Sequence, residues 1–128
     1  MDDLTIDLRT VVLDCTDVNA LADFYINMLG WVKEYEIPNQ WLCIQAPSGG
    51  VRLAFQSNPD YVPPTWPEKP EKQQQMLHID FCVSSNDQMK KAIEYAITCG
   101  ATKANKQYSE EWTVMLDPAG HPFCFVVH

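Results

Sequence analysis

No apolar run in this sequence approaches the roughly 18–20 residues that a membrane-spanning helix needs. The opening stretch, MDDLTIDLRT, lacks the basic region and long apolar core of a secretory leader. Positive charge is scarce too. Nine Lys and Arg stand against seventeen Asp and Glu, a formal net charge of −8. Such a surface repels phosphate backbones and anionic lipid, so neither nucleic acid nor membrane is an expected partner. The five cysteines (Cys15, Cys43, Cys82, Cys99 and Cys124) are an odd set without a CxxC pair. That speaks against a disulfide framework and for a reducing, cytoplasmic setting.

What is present is a globular composition, 46% hydrophobic and 20% charged. The 128 residues are enough for one domain with a real core and too few for two ordinary ones. Residues 1–128 are therefore read as a single domain.

That domain reads as one unit built twice. DVNALADFYINMLGW (17–31) places Val18, Leu21, Tyr25, Met28 and Leu29 on one helical face, with Gly30 as the stop. SNDQMKKAIEYAITCGA (85–101) does the same with Met89, Ala92, Ile93, Ala96 and Ile97, ending at Gly100. Ser85 and Gln88 have the spacing of a capping box. A strand-like run precedes each helix, at 9–15 and 78–83. Three more follow each, at about 31–37, 41–45 and 51–56, and at about 102–106, 112–116 and 123–127. Thr10 aligns with His78, Gly30 with Gly100 and Pro47 with Pro118, with a small drift that loop insertions absorb. Each half is β-α-β-β-β, an α+β module. The modules span about 5–57 and 76–128. The loop between them, 58–75, is proline-rich. Proline fixes backbone torsion and removes a donor, so the loop is an extended connector. Its Tyr61, Trp66 and Pro63–Pro64 are bulkier than a solvated linker needs, and they are candidates to cover a pocket or a second subunit.

Paired βαβββ modules, FYINMLGW, RLAFQ, YVPPTWP, HIDFCV and DPAGHPFC together resemble the vicinal oxygen chelate superfamily, which includes glyoxalase I, bleomycin-resistance proteins and extradiol dioxygenases. The resemblance is strongest to its small glyoxalase-like domain proteins and covers about 8–127. It implies the glyoxalase/bleomycin resistance/dioxygenase fold, in which two modules form a curved mixed sheet around a cleft. It also implies four inward stations, which in metal-dependent members hold the ion. Carried over, these fall on Thr10, Leu53, His78 and Cys124. A homodimer is implied as well.

A divalent cation that polarises substrate oxygens asks for imidazole and carboxylate ligands. His78 suits this, and Cys124 suits zinc as a thiolate. Thr10 is a poor ligand and Leu53 is none. Asp80 shares the face of His78 if both are in a strand, though the corresponding family position is not normally a ligand. If zinc, nickel, manganese or iron is bound, the set would be His78, Cys124 and His121. The expected state is without a metal cofactor.

His78 has two readings, a hydrogen-bonded core histidine and a general base or binding group in the cleft. Cys124, inside FCFVV, reads as a buried space-filler unless a neighbouring cation activates it. His121 and Asp117 read as turn residues. Trp41, Phe55 and Trp112, with Thr10, Leu53, His78 and Cys124, are the candidate ligand-binding set. The leading expectation is a protein that binds a small apolar or aromatic molecule. A glyoxalase-like lyase, isomerase or dioxygenase using His78, and a protein-interaction module, are the alternatives.

Overall fold

A computed structural model of the chain describes residues 4–128. The chain divides into two compact units, the first ending at Asn58 and the second running Pro59–His128.

The first unit holds β1 (Thr10–Cys15), α1 (Val18–Leu29), β2 (Val32–Ile37), β3 (Trp41–Gln45) and β4 (Arg52–Ser57). Its sheet order is β1-β4-β3-β2, with β1 parallel to β4 and the other pairs antiparallel. Helix α1 begins where the Asp17 carboxylate accepts from the Ala20 N–H at 3.1 Å. It ends where Gly30 turns left-handed at φ 69°, which glycine adopts without a Cβ penalty. Val18, Leu21, Ala22, Phe24 and Tyr25 are buried along it. Tyr25 stacks on Phe55 of β4, with ring centroids 5.5 Å apart. The face of β4 that carries Leu53 and Phe55 is therefore the face under the helix. Met28 and Leu29, expected on the apolar stripe, are half-buried at its end.

The second unit repeats the plan with β5 (Ile79–Val83), α2 (Asn86–Cys99), β6 (Thr102–Lys103), β7 (Trp112–Leu116) and β8 (Pro122–Val127). The order is β5-β8-β7-β6, again with the outer pair β5–β8 parallel. Ser85 Oγ accepts from the Gln88 N–H at 3.1 Å, the expected cap of α2. Phe81, Phe123 and Phe125 meet edge-on and tilted on one face of the sheet. On that same face Thr113 donates to the sulfur of Met89 on α2. The opposite face carries Ala104, Val114 and Cys124 in a buried cluster against which Trp66, Leu116 and Val126 pack.

Two sequence expectations change. Strand β6 was expected over 102–106 and covers Thr102–Lys103. The Gln107 side chain takes over beyond it: its amide donates to the Ala104 and Val114 carbonyls and its oxygen accepts from the Val114 N–H. A side chain thus pairs with backbone that a longer strand would have used. Ile97, expected on the buried stripe of α2, is 48% exposed, because the stripe closes at Ala96.

The proline-rich segment is not a free connector. From residue 59 on it groups with the second unit. Tyr61 donates to the Ala119 carbonyl at 2.6 Å, and Thr65 N–H donates to the Gln73 carbonyl at 2.8 Å. Pro63 lies where a Cβ on Gly120 would come within 3.2 Å of its own Cβ. These ties hold Trp66 against the open face of the second sheet.

Candidate functional site

The parallel register of β5 and β8 sets Asp80 opposite Cys124. Side chains alternate along a strand, so His78, Asp80, Cys124, Pro122 and Val126 share the face turned away from α2. The antiparallel register adds Trp112 beside Val126 and Val114 beside Cys124. These residues, together with Trp66 and Gln75 from the proline-rich segment, line a hollow of about 330 Å³. That volume lies in the range of small-molecule sites.

The ligating atoms of His78, Asp80 and Cys124 all lie within 4.8 Å of one another. His78 Nε2 is 3.4 Å from Asp80 Oδ1, and both side chains are about half exposed. Cys124 is buried at 6% exposure. Burial pushes its thiol up to about 11, and the negative charge of Asp80 and a hydrogen bond to it add to the effect. At neutral pH the group is a thiol, not the thiolate that attacks electrophiles or binds metal.

Gln75 is the residue that sequence reasoning missed. Alone among the described residues, its carboxamide oxygen is a side-chain polar atom buried with no hydrogen-bond partner. Nothing in the run QQQ distinguishes it. Only the path of the loop across the second sheet puts it in the hollow.

The other expected site residues fall elsewhere. Leu53 was expected at an inward station. It is 5% exposed on the helix face of β4, with Phe55. The strand registers show why. Val12 pairs with Ala54 as Asp80 pairs with Cys124, so the counterpart of Cys124 is Ala54 and not Leu53. Phe55 is core for the same reason. Thr10 is half-buried and pairs with Arg52, whose Nε bonds Glu34 at 2.6 Å. Trp41 pairs with Gln56 as Trp112 pairs with Val126, and lines a separate hollow of the first unit with Tyr35 and Ile37. His121 stands apart from the His78–Asp80–Cys124 group. Its ring lies tilted against Tyr61, with Nε2 3.3 Å from the tyrosine hydroxyl. Asp117, 5% exposed, is the turn-maker expected: its Oδ1 accepts from the N–H groups of Ala119 and His121.

A mixed four-stranded sheet and one helix, used twice with the outer strands parallel, define a protein of the vicinal oxygen chelate superfamily. The model of the glyoxalase-like domain family matches residues 10–126, and the chain belongs to that family. Solved structures agree on the fold. A glyoxalase/bleomycin resistance protein/dioxygenase family enzyme from Burkholderia phytofirmans is 19% identical, covering 94% of this chain and 97% of its own, with a TM-score of 0.72. The lactoylglutathione lyase of Agrobacterium tumefaciens is 12% identical over 96% of this chain and 94% of its own, with a TM-score of 0.65. A mutant of the fosfomycin resistance protein of Listeria monocytogenes, complexed with Mn(II) and a dihydroxypropylphosphonic acid, is 14% identical over 96% of this chain and 90% of its own, with a TM-score of 0.68. No curated protein matches the chain in sequence. No helix among the described residues is long and apolar enough to cross a membrane.

The donors can be tested against the metals used in this superfamily. A protonated thiol is a poor partner for manganese, which prefers oxygen and imidazole. Within the first unit the corresponding strand positions hold a hydroxyl at Thr10 and a methyl at Ala54, neither of them a metal ligand of this kind. Imidazole, carboxylate and thiolate do suit zinc, at the cost of removing the Cys124 proton.

Proposed function

We propose that the second unit binds a small apolar or aromatic molecule in this hollow, and does so without a metal centre of the superfamily's four-ligand kind. The observation that carries the reading is the lining itself. Two indoles, Trp66 and Trp112, stand with Val114, Pro122 and Val126 around a small polar group of His78, Asp80 and Cys124. The apolar wall would supply affinity and the polar group orientation. The test is calorimetric titration with naphthalene derivatives in chelator-treated buffer, alongside elemental analysis. Saturable binding without metal is expected. Binding that appears only when zinc or manganese is added overturns the reading.

One observation favours a second reading, a glyoxalase-like lyase or isomerase. The close approach of His78, Asp80 and Cys124 would hold zinc with coordination positions left for substrate, and bound zinc would supply Lewis-acid polarisation of a substrate oxygen. Without metal, His78 would accept a proton, with Asp80 holding its ring. A tight, stoichiometric zinc lost in His78→Ala would make this the better account.

A homodimer is part of the proposal. It is supported by Val32, Tyr35 and Ile37, exposed on the edge strand β2. Sedimentation at the mass of one chain overturns it. A reducing compartment is also part of it, supported by five free cysteines.

A further inference from the structure

The polar groups at the hollow are unbalanced in charge, and one of its two indole donors is spent inside the protein. The Trp66 indole N–H points at the Lys106 carbonyl, 3.4 Å away. The Cys124 thiol stands opposite Asp80 across β5 and β8, within 4.8 Å of its carboxylate. His78 Nε2 lies 3.4 Å from Asp80 Oδ1. The acceptors remain. Asp80 is a carboxylate, 55% exposed on its side chain. Gln75 Oε1 is shut off from water with no partner. No Lys or Arg lines the hollow. The ammonium of Lys106, whose carbonyl Trp66 meets, lies over the Tyr108 ring, 5.4 Å from its centroid.

A carboxylate without a lysine or arginine beside it, a buried carboxamide oxygen without a partner, and two indole faces describe a site for a cation. A buried acceptor without a partner is destabilising, and a ligand donor would relieve it. The net charge of −8 draws cations toward the whole molecule and repels anions.

We infer that the hollow takes an amine: a small aromatic or apolar molecule carrying a protonated nitrogen, whose N–H groups meet Asp80 and the Gln75 carboxamide oxygen while its apolar body lies against Trp66 and Trp112. This rests on the binding function proposed above and names the ligand class for it. Gln75 is the specificity-determining residue. Its carboxamide turns toward the ligand, and its oxygen gains the partner it lacks in the free protein.

Three matched probes test it: naphthylmethylamine, naphthylmethanol and naphthoic acid, titrated calorimetrically at neutral pH with chelator present. The amine is expected to bind at least about tenfold tighter than the alcohol, the advantage of a hydrogen bond to a charged group, and tighter still than the acid. Gln75→Leu should weaken the amine more than the alcohol, whose single O–H donor is uncharged, and so cut the amine's advantage several-fold. Gln75→Glu, which keeps the shape and adds charge, should tighten the amine and weaken the acid further. Alcohol or acid binding as tightly as the amine overturns the inference and leaves the binding function standing. An amine preference untouched in both Gln75 variants overturns the role of Gln75. If none of the three probes binds, the binding function fails and the inference falls with it.

Discussion

Asp80 and Cys124 face each other across the parallel strands β5 and β8, and the carboxylate helps keep the thiol protonated. Alkylation of Cys124 should therefore be slow at pH 8 and accelerate only toward pH 11. Asp80→Asn should move that profile down. Peptide mapping after timed iodoacetamide exposure separates Cys124 from the exposed Cys82. Fast labelling of Cys124 at pH 8 contradicts the account.

The same group sets a pH dependence of stability. The folded chain holds the Cys124 proton more tightly than the unfolded chain does. In the interval above the ordinary thiol range and below about 11, the unfolded state binds fewer protons. Stability should be complete below that interval and fall as pH rises through it. Cys124→Ala should flatten this fall in urea melts recorded at several pH values, even though its overall stability is lower.

Trp41 and Trp112 occupy the same station in the two units, yet line different hollows. Trp112→Phe is expected to weaken ligand binding several-fold, and Trp41→Phe to leave it unchanged. Calorimetry with naphthylmethanol reads both. Loss of affinity in the Trp41 variant instead would move the site to the first unit.

Phe55 is fully buried against Tyr25. Phe55→Ala should cost about 3–5 kcal/mol in chemical denaturation, as removal of a buried ring does. A cost under 1 kcal/mol, roughly what an exposed position gives, would mean that β4 turns its other face to the helix.

Asp117 holds two backbone N–H groups from a buried carboxylate. Asp117→Ala should cost about 1–3 kcal/mol, the usual penalty for orphaned buried donors. Asp117→Asn, which keeps an oxygen in place, should cost much less. Equal losses in the two variants would show that the charge, not the geometry, matters.

The fold was legible because period and punctuation agreed. Helical spacing ended at Gly30 and Gly100, and β-branched runs fell between turn residues. The candidate site was legible only in part. His78 and Cys124, stations that the family resemblance implied, and Trp112, one of the candidate aromatics, line one hollow. Leu53 does not, because turn prolines were aligned and the strands differ from them by one residue, enough to reverse a side chain. Gln75 and the shortened β6 depend on long-range contacts that leave no periodic trace. Asp80 was visible as a strand neighbour of His78, but its partnership with Cys124 needed the register.

Gly120 gives room to Pro63 in a turn that does not itself line the hollow. Adding one methyl there would press on the segment that delivers Trp66. If the hollow binds its ligand as proposed, a substitution that touches no ligand would retune preference, and a search for specificity variants confined to the pocket walls would overlook it.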